Sequence, residues 1–332
     1  MVALLIVMAL AFGLVNGVHD AGNAIAAPVV TRALRPAGAL GIAAVCHVAG
    51  ALLLGTAVAA TVAGIVSVSA HHLLDVLAAA LTGALAWNLF TLRLGLPCSS
   101  GHCLVGALVG AALADGGGSA VHWGGMHGLR PAGVVGSLVW LVLSSVAALA
   151  LALVGIVAAR RALRRGSRRI VGPLRRGEIL TSAALAFAHG SNDSQKTMGL
   201  LALTIAAGDR VGPLSVPLWV KLAAAVALTV GTSLGGWRVV RTLGRRIYPF
   251  RALGGLVSQG AASAVVVAAS VLGAPISTTD VVAPAVVGVG AGQRWRHVRW
   301  RVVEQIALAW LVTLPASGIV AAAALPVWRA LG

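Results

Sequence analysis

The chain has 332 residues, of which 59% are hydrophobic and only 10% charged, and its formal net charge at pH 7 is +17. This composition excludes an ordinary soluble globular domain and indicates a single polytopic membrane domain. In so apolar a chain, the positive charge predicts which loops face the cytoplasm rather than a nucleic-acid partner.

Ten apolar segments follow one another along the chain, and most have the roughly 20 residues that a membrane-spanning helix needs. They lie at about 1–31, 37–66, 72–92, 97–113, 130–158, 179–207, 215–237, 251–273, 275–291 and 302–327. The sequence therefore predicts an all-α polytopic protein with about ten membrane crossings. The segments 97–113 and 275–291 are short, and the alternative is that they form re-entrant hairpins that do not cross the membrane. Glycine spacings at 106–110 and 288–292 predict close helix contacts.

Basic residues are concentrated on one side of this arrangement. Alternate crossings place 20 of the 25 Lys and Arg residues there, which predicts that this side is cytoplasmic and that the protein lies in the cell membrane. An Arg-rich cytoplasmic loop at 159–178 divides the chain into membrane repeats at 1–158 and 179–332. Because each repeat has five crossings, the second is inverted relative to the first, with broken helices near the midplane, as in many secondary transporters.

Two polar motifs interrupt the apolar segments at matching places, at residues 16–23 (NGVHDAGN) and 189–196 (HGSNDSQK). A carboxylate at membrane depth is costly unless it is paired, so both motifs are candidate functional sites. Their oxygens suit a sodium ion, or their carboxylates can carry a proton. The predicted cation-coupling residues are Asp20, Asn23, Asn192, Asp193 and Gln195, and a sodium ion would lie at Asp20, Asn23, Asn192 and Asp193.

Lys196 follows Asp193 by three residues, which places the two side chains on the same face of a helix. Two interpretations stay open for Lys196. It forms an ion pair that only neutralises a buried charge, or it acts as a gate.

A second motif is also written twice, as GLPCSSGH at 95–102 and GAPISTTD at 273–280. Proline followed by adjacent hydroxyls, before an apolar run, predicts a helix N-terminus whose N–H groups and hydroxyls face a cavity. Two such ends facing each other would surround a tetrahedral oxyanion with neutral donors. The simpler alternative is that the second copy only caps its helix. The predicted anion-binding residues are Ser99, Ser100, Ser277, Thr278 and Thr279.

In chain order, the segments NGVHDAGNAIA, GLPCSSGH, AFAHGSNDSQKTMG, GGWRVVRTLGRRIY and GAPISTTD resemble the inorganic phosphate transporter family of the PiT type. The resemblance covers nearly the whole chain. It implies an inverted-repeat carrier, often a homodimer, that imports phosphate together with a sodium ion or a proton. It also implies cation coupling and gating by Asp20, Asn23, Asn192, Asp193, Gln195 and Lys196, and phosphate binding by Ser99, Ser100, Ser277, Thr278 and Thr279.

The chain departs from the family pattern at three positions. Gly101 replaces a usual hydroxyl residue, Asp280 replaces a usual histidine, and Gln259 replaces an expected acid. The first two changes predict weaker binding of doubly charged phosphate unless Asp280 is protonated or faces away. A permease of the same architecture for sulfate or another tetrahedral oxyanion is therefore an alternative. An anion channel is a second alternative, since a pore would use the helix ends without needing the acidic motifs.

Other function classes are disfavoured by what the sequence lacks. It shows no nucleophile beside a base and no metal-ligand cluster, so we predict no enzyme activity. It shows no Walker loop either, so the energy would come from an ion gradient. We expect no resident cofactor beyond the co-transported proton or sodium ion. The expected partners are phosphate, membrane lipid and a second copy of the chain.

Overall fold

A computed structural model of the chain describes residues 1–69, 71–95, 98–127, 130–165, 170–209, 215–235, 247–248 and 251–331. These residues contain eleven α-helices. Their bounds are α1 Val2–Val30, α2 Pro36–Leu53, α3 Ala57–Ala63, α4 Leu73–Leu94, α5 Ser100–Gly116, α6 Gly133–Ala162, α7 Val171–Asp209, α8 Leu218–Leu234, α9 Ala252–Leu272, α10 Thr278–Arg294 and α11 Trp300–Leu331. One short antiparallel ribbon, which the all-α prediction missed, pairs β1 Gly125–His127 with β2 Arg130–Ala132.

Each of the ten predicted segments contains one long helix, with two differences in the boundaries. The segment 37–66 is not a single helix, because the chain breaks between α2 and α3 at Gly55, whose φ of +81° is in the left-handed region. The predicted loop 159–178 is largely helical, since α6 continues to Ala162 and α7 already begins at Val171. Arginine is a good helix former, so a run of arginines does not by itself end a helix.

Seven of the described helices are long and apolar enough to cross a membrane, namely α1, α2, α4, α5 with the 3₁₀ turn that follows it, α6, α9 and α11. Such a set of helices indicates a multi-pass membrane protein. The polar motifs lie within continuous helices, α1 and the 39-residue α7, so neither motif breaks its helix as predicted. Helices α8 and α10 have only 17 residues each. Ten crossings therefore stay a prediction.

The helices of the two halves of the chain pack against each other reciprocally. Helix α1 packs on α8 while α7 packs on α2, and α5 packs on α11 while α10 packs on α6. If α1, α2, α5 and α6 of the first half correspond to α7, α8, α10 and α11 of the second, each of these contacts occurs twice. Under this correspondence, the four contacts form two matching pairs.

Glycines make the closest of these contacts possible. A Cβ atom on Gly106 of α5 would overlap the carbonyl oxygen of Leu314 in α11, and one on Gly288 of α10 would overlap that of Leu149 in α6. The predicted role of the two glycine spacings in close helix packing is therefore confirmed, and it is the same role in both halves.

Two apolar clusters form the interior. The first contains Phe12 and Met198, and the second contains Ile25 and Leu185. Helix α1 therefore enters the first cluster and then the second, whereas α7 meets them in the opposite order. Helix α5 lies in the first cluster and α10 in the second. The polar residues 16–23 of α1 and 189–196 of α7 lie in the chain between the residues that enter each cluster.

Candidate functional site

The first polar motif contacts the second hydroxyl motif directly, although they lie far apart in the chain. Asn23 Nδ2 in α1 donates hydrogen bonds to Thr278 Oγ1 and Thr279 Oγ1 at the start of α10, both at 2.9 Å. These side chains are buried. The fold thus joins a predicted cation-coupling residue to two predicted anion-binding residues.

Asp20 is fully buried and accepts hydrogen bonds from neutral donors. Its Oδ1 accepts from Thr279 Oγ1 at 2.6 Å and from Asn23 Nδ2 at 3.1 Å. Its Oδ2 accepts a longer bond from Ser100 Oγ at 3.4 Å. Hydroxyl and amide donors stabilise an ionised carboxylate without neutralising its charge.

Asp193 has the opposite kind of environment. Lys196 Nζ lies 2.5 Å from Asp193 Oδ1, so the predicted ion pair within the helix is present, and both side chains are fully buried. Asn16 Nδ2 lies 3.4 Å from the same oxygen. His189 Nε2 lies 3.4 Å from Asp193 Oδ2, and its Nδ1 lies 3.1 Å from His47 Nε2. Asp193 is therefore compensated by a fixed positive charge.

Ser100 connects these two environments, because its hydroxyl bonds Asp20 and also lies 3.5 Å from Lys196 Nζ. One ligand atom each from Asp20, Asp193 and His189 lies within 4.8 Å of the others. Buried oxygens without a hydrogen-bond partner among the described residues include Asn16 Oδ1, Asn23 Oδ1 and Asp193 Oδ2. Such unsatisfied hard oxygens fit a small cation.

The N-termini of α5 and α10 meet at the same place. Ser99 caps α5, and its Oγ accepts from His102 N at 3.2 Å. Ser277 occupies the same position before α10, but its buried hydroxyl makes no capping bond and has no hydrogen-bond partner among the described residues. A Cβ on Gly101 would lie only 3.5 Å from Ser277 N, so the two helix ends are separated by little more than the width of a methyl group.

Two of the predicted cation-coupling residues bond to neighbouring helices. Gln195 Oε1 accepts from Val58 N at 2.8 Å, near the start of α3. Asn192 Nδ2 donates to Ser270 Oγ and to the Ala274 carbonyl, both at 3.1 Å, whereas its Oδ1 has no described partner. Gln195 thus supports the break between α2 and α3, and Asn192 still offers a free oxygen.

Two histidines contribute more than the sequence predicted. His102 was not among the predicted site residues, but its Nδ1 lies 2.5 Å from Ser99 Oγ and 3.1 Å from Asp280 Oδ2. The alignment of the two hydroxyl motifs, which places His102 opposite Asp280, was the available signal. His47, which contacts His189, carries no such signal, since it stands alone in an apolar run.

Part of the family pattern lies outside the described residues. This applies to Leu96 and Pro97 of the first hydroxyl motif and to residues 236–246 of the segment GGWRVVRTLGRRIY. The remaining motif residues, including all the predicted site residues, belong to the described part of the chain.

Comparison with known proteins decides the family. A family model described as "Phosphate transporter family" matches residues 16–321. The chain belongs to this family. Phosphate is accordingly the substrate of the family to which this membrane protein belongs, and the resemblance seen in the sequence is confirmed.

Relatives from several bacteria agree with this assignment. A protein of Mycobacterium tuberculosis (strain CDC 1551 / Oshkosh) described as "Probable low-affinity inorganic phosphate transporter" is 40% identical over 326 residues, covering 96% of this chain and 75% of its own. A protein of Bacillus subtilis (strain 168) with the same description is 34% identical, covering 97% and 95%. A solved structure, "The sodium-dependent phosphate transporter", matches with a TM-score of 0.82 and 23% identity over 100% of this chain and 99% of that one. This last match shows that the fold is shared.

Proposed function

We propose that this protein is a secondary active transporter that imports inorganic phosphate in symport with a cation, and not an enzyme. Phosphate would bind between the N-termini of α5 and α10, and the cation would bind beside Asp20. The observation that carries the proposal is the pair of hydrogen bonds from Asn23 to Thr278 and Thr279, which joins a buried carboxylate motif to a helix N-terminus.

The anion half of the proposal rests on the two helix ends. Unpaired backbone N–H groups and the helix dipole favour negative charge at each N-terminus. Ser277 adds a buried hydroxyl without a described partner, and Thr278 adds a second buried hydroxyl. Ser99, Ser100 and Thr279 place further hydroxyls there, which donate to Asp280 or Asp20 in this structure. Neutral donors of this kind bind an anion without the fixed positive charges that would hold it too tightly for release.

The cation half rests on the difference between the two acidic residues. Lys196 already compensates Asp193, whereas Asp20 has only neutral donors. A sodium ion would be coordinated by side-chain oxygens of Asp20, Asn23, Asn192 and Asp193, whereas a proton would bind to the carboxylate of Asp20. The solved structure that this fold matches is named for sodium dependence, and the buried His189 beside Asp193 suits a proton.

Several features support an inverted-repeat carrier with ten crossings. Helices α1 and α7 meet the two apolar clusters in opposite order. The N-termini of α5 and α10 are adjacent, but α5 packs in the first cluster and α10 in the second. The reciprocal packing of the two halves is what a pair of related repeats would produce. We further propose that the Arg-rich loops face the cytoplasm and that two copies of the chain form a homodimer.

The test is uptake of labelled phosphate by proteoliposomes that contain the purified protein, with sodium and pH gradients imposed separately. We expect accumulation above equilibrium under one gradient, which also identifies the coupling ion. Flux that only dissipates a phosphate gradient, whatever the cation, would overturn the symport mechanism in favour of a channel. Transport of labelled sulfate in place of phosphate would favour the sulfate alternative.

A further inference from the structure

Asp280 lies in the first turn of α10, and its carboxylate reaches across to the N-terminus of α5. Its Oδ2 accepts a hydrogen bond from Ser99 Oγ at 2.7 Å and lies 3.1 Å from His102 Nδ1. The side chain is 1% exposed. The carboxylate that departs from the family pattern therefore does not face away from the proposed anion site but stands between its two helix ends.

The other oxygen of the Asp280 carboxylate, Oδ1, indicates which kind of anion can bind beside it. Asp280 Oδ1 is buried and has no hydrogen-bond partner among the described residues, whereas both oxygens of Asp20 accept hydrogen bonds. A buried acceptor without a donor is costly, and an ionised carboxylate can only accept. A ligand that binds beside Asp280 would therefore be favoured if it brought a donor of its own.

Phosphate and sulfate differ in this respect. Near neutral pH every phosphate ion carries at least one proton on its oxygens, so it can accept hydrogen bonds and also donate one. Sulfate carries no proton and can only accept. A carboxylate facing the bound anion would thus form a charge-assisted O–H···O bond with phosphate but would only repel sulfate.

We infer that Asp280 selects a protonated oxyanion over an unprotonated one, with Oδ1 accepting the hydroxyl proton of phosphate. Ser99 and His102 act as positioning residues, because they hold the other carboxylate oxygen. The inference rests on the proposed binding of phosphate between α5 and α10. It reverses the expectation from the sequence, where an added carboxylate favoured sulfate.

Competition against labelled phosphate uptake in proteoliposomes tests this inference. Arsenate and selenate are suitable probes, because they have similar size but only arsenate keeps a proton near neutral pH. For the wild-type protein we expect arsenate to compete and sulfate and selenate to be excluded.

In Asp280→Asn, the amide can donate to an unprotonated oxygen while its carbonyl still accepts from phosphate. We expect sulfate and selenate to become competitors. The preference of the protein for phosphate over these two anions should fall about a hundredfold or more. Asp280→His places the residue usual in the family at this position and should relax the exclusion in the same way, so it replaces Asp280→Asn if that variant does not insert. Asp75→Asn is the matched control, since Asp75 also lies in the first turn of a helix, α4, and should leave selectivity unchanged.

The outcomes separate this inference from the proposed function. If the wild-type protein takes up no phosphate, the proposed function fails and the inference fails with it. If the wild-type protein takes up phosphate but is inhibited by sulfate, or if both Asp280 variants exclude sulfate and selenate as strictly as the wild type, only the role of Asp280 is overturned.

Discussion

The two acidic motifs occupy matching places in the two halves of the chain, but their charges are compensated differently. Asp20 in α1 is held by hydroxyl and amide donors, whereas Asp193 in α7 is paired with Lys196 at 2.5 Å. A buried carboxylate with a fixed cation has less need of a mobile one. Under the proposed function, the second copy of the motif is the structural half of the site, and the first copy binds the transported cation.

Removing the carboxylate of the structural half should have the largest effect. Asp193→Asn leaves Lys196 buried without its counter-charge, which should cost about 3–5 kcal/mol of stability and abolish uptake. Thermal unfolding of the purified protein measures the loss. The double variant Asp193→Asn, Lys196→Gln should recover most of the stability, because it removes both charges. A single variant as stable as the wild type would contradict this assignment.

Removing the carboxylate of the transport half should have little effect on stability but a large one on function. Asp20→Asn changes hydrogen bonds from uncharged donors and leaves no buried cation without its counter-charge, so we expect a stability loss of about 1 kcal/mol. Phosphate accumulation under a cation gradient should nevertheless fall to the level of empty liposomes. Asp75→Asn in α4 serves as the control. Unaltered accumulation by Asp20→Asn would show that cation coupling lies elsewhere.

Substitutions at the helix N-termini of the proposed anion site should lower phosphate affinity and leave cation coupling intact. Ser277→Ala with Thr278→Ala removes two hydroxyls from the proposed anion site, each worth about 1.5–3 kcal/mol when it bonds a charged group. We expect phosphate affinity, measured by calorimetric titration, to fall about a hundredfold or more while the response to each gradient is kept. Ser233→Ala is the control, since Ser233 is exposed and bonds only its own helix. Unchanged affinity in the double variant would move the anion site elsewhere.

Replacing Glu178, a further buried carboxylate on α7, should have the smallest effect on stability. Glu178 precedes the apolar segment 179–207, and burial raises its pKa from 4.5 to about 7, opposed by the Thr31 hydroxyl at 2.8 Å and by the charge of Arg175. Because the folded protein holds this proton more tightly than the unfolded chain, stability should fall as the pH rises from about 4.5 to about 7.

Comparison with Glu178→Gln isolates this contribution. The variant should match the wild type in its unfolding temperature near pH 4.5, and it should exceed the wild type by a few degrees at about pH 8, where the wild-type carboxylate is charged. Equal unfolding temperatures at both pH values would show that Glu178 does not carry the dependence.

The sequence by itself determined the helices, the family and one local contact. Apolar segments predicted all ten long helices because burial from water depends on local composition, and the Asp193–Lys196 pair followed from a spacing of three residues on one helix. The break at Gly55 escaped prediction, since one glycine among many gives no local signal of a left-handed turn.

Only the tertiary structure decided which motifs meet. Asn23 bonds residues 255 and 256 positions away, and Ser99 bonds Asp280 across 181 positions, so helix packing sets these distances and spacing along the chain does not. The same holds for Gln195, which turned out to bond the start of α3, and for His47, whose partner His189 lies 142 positions away. Residue type fixes which bonds a side chain is able to make, but the packing of one half against the other fixes which of them it makes.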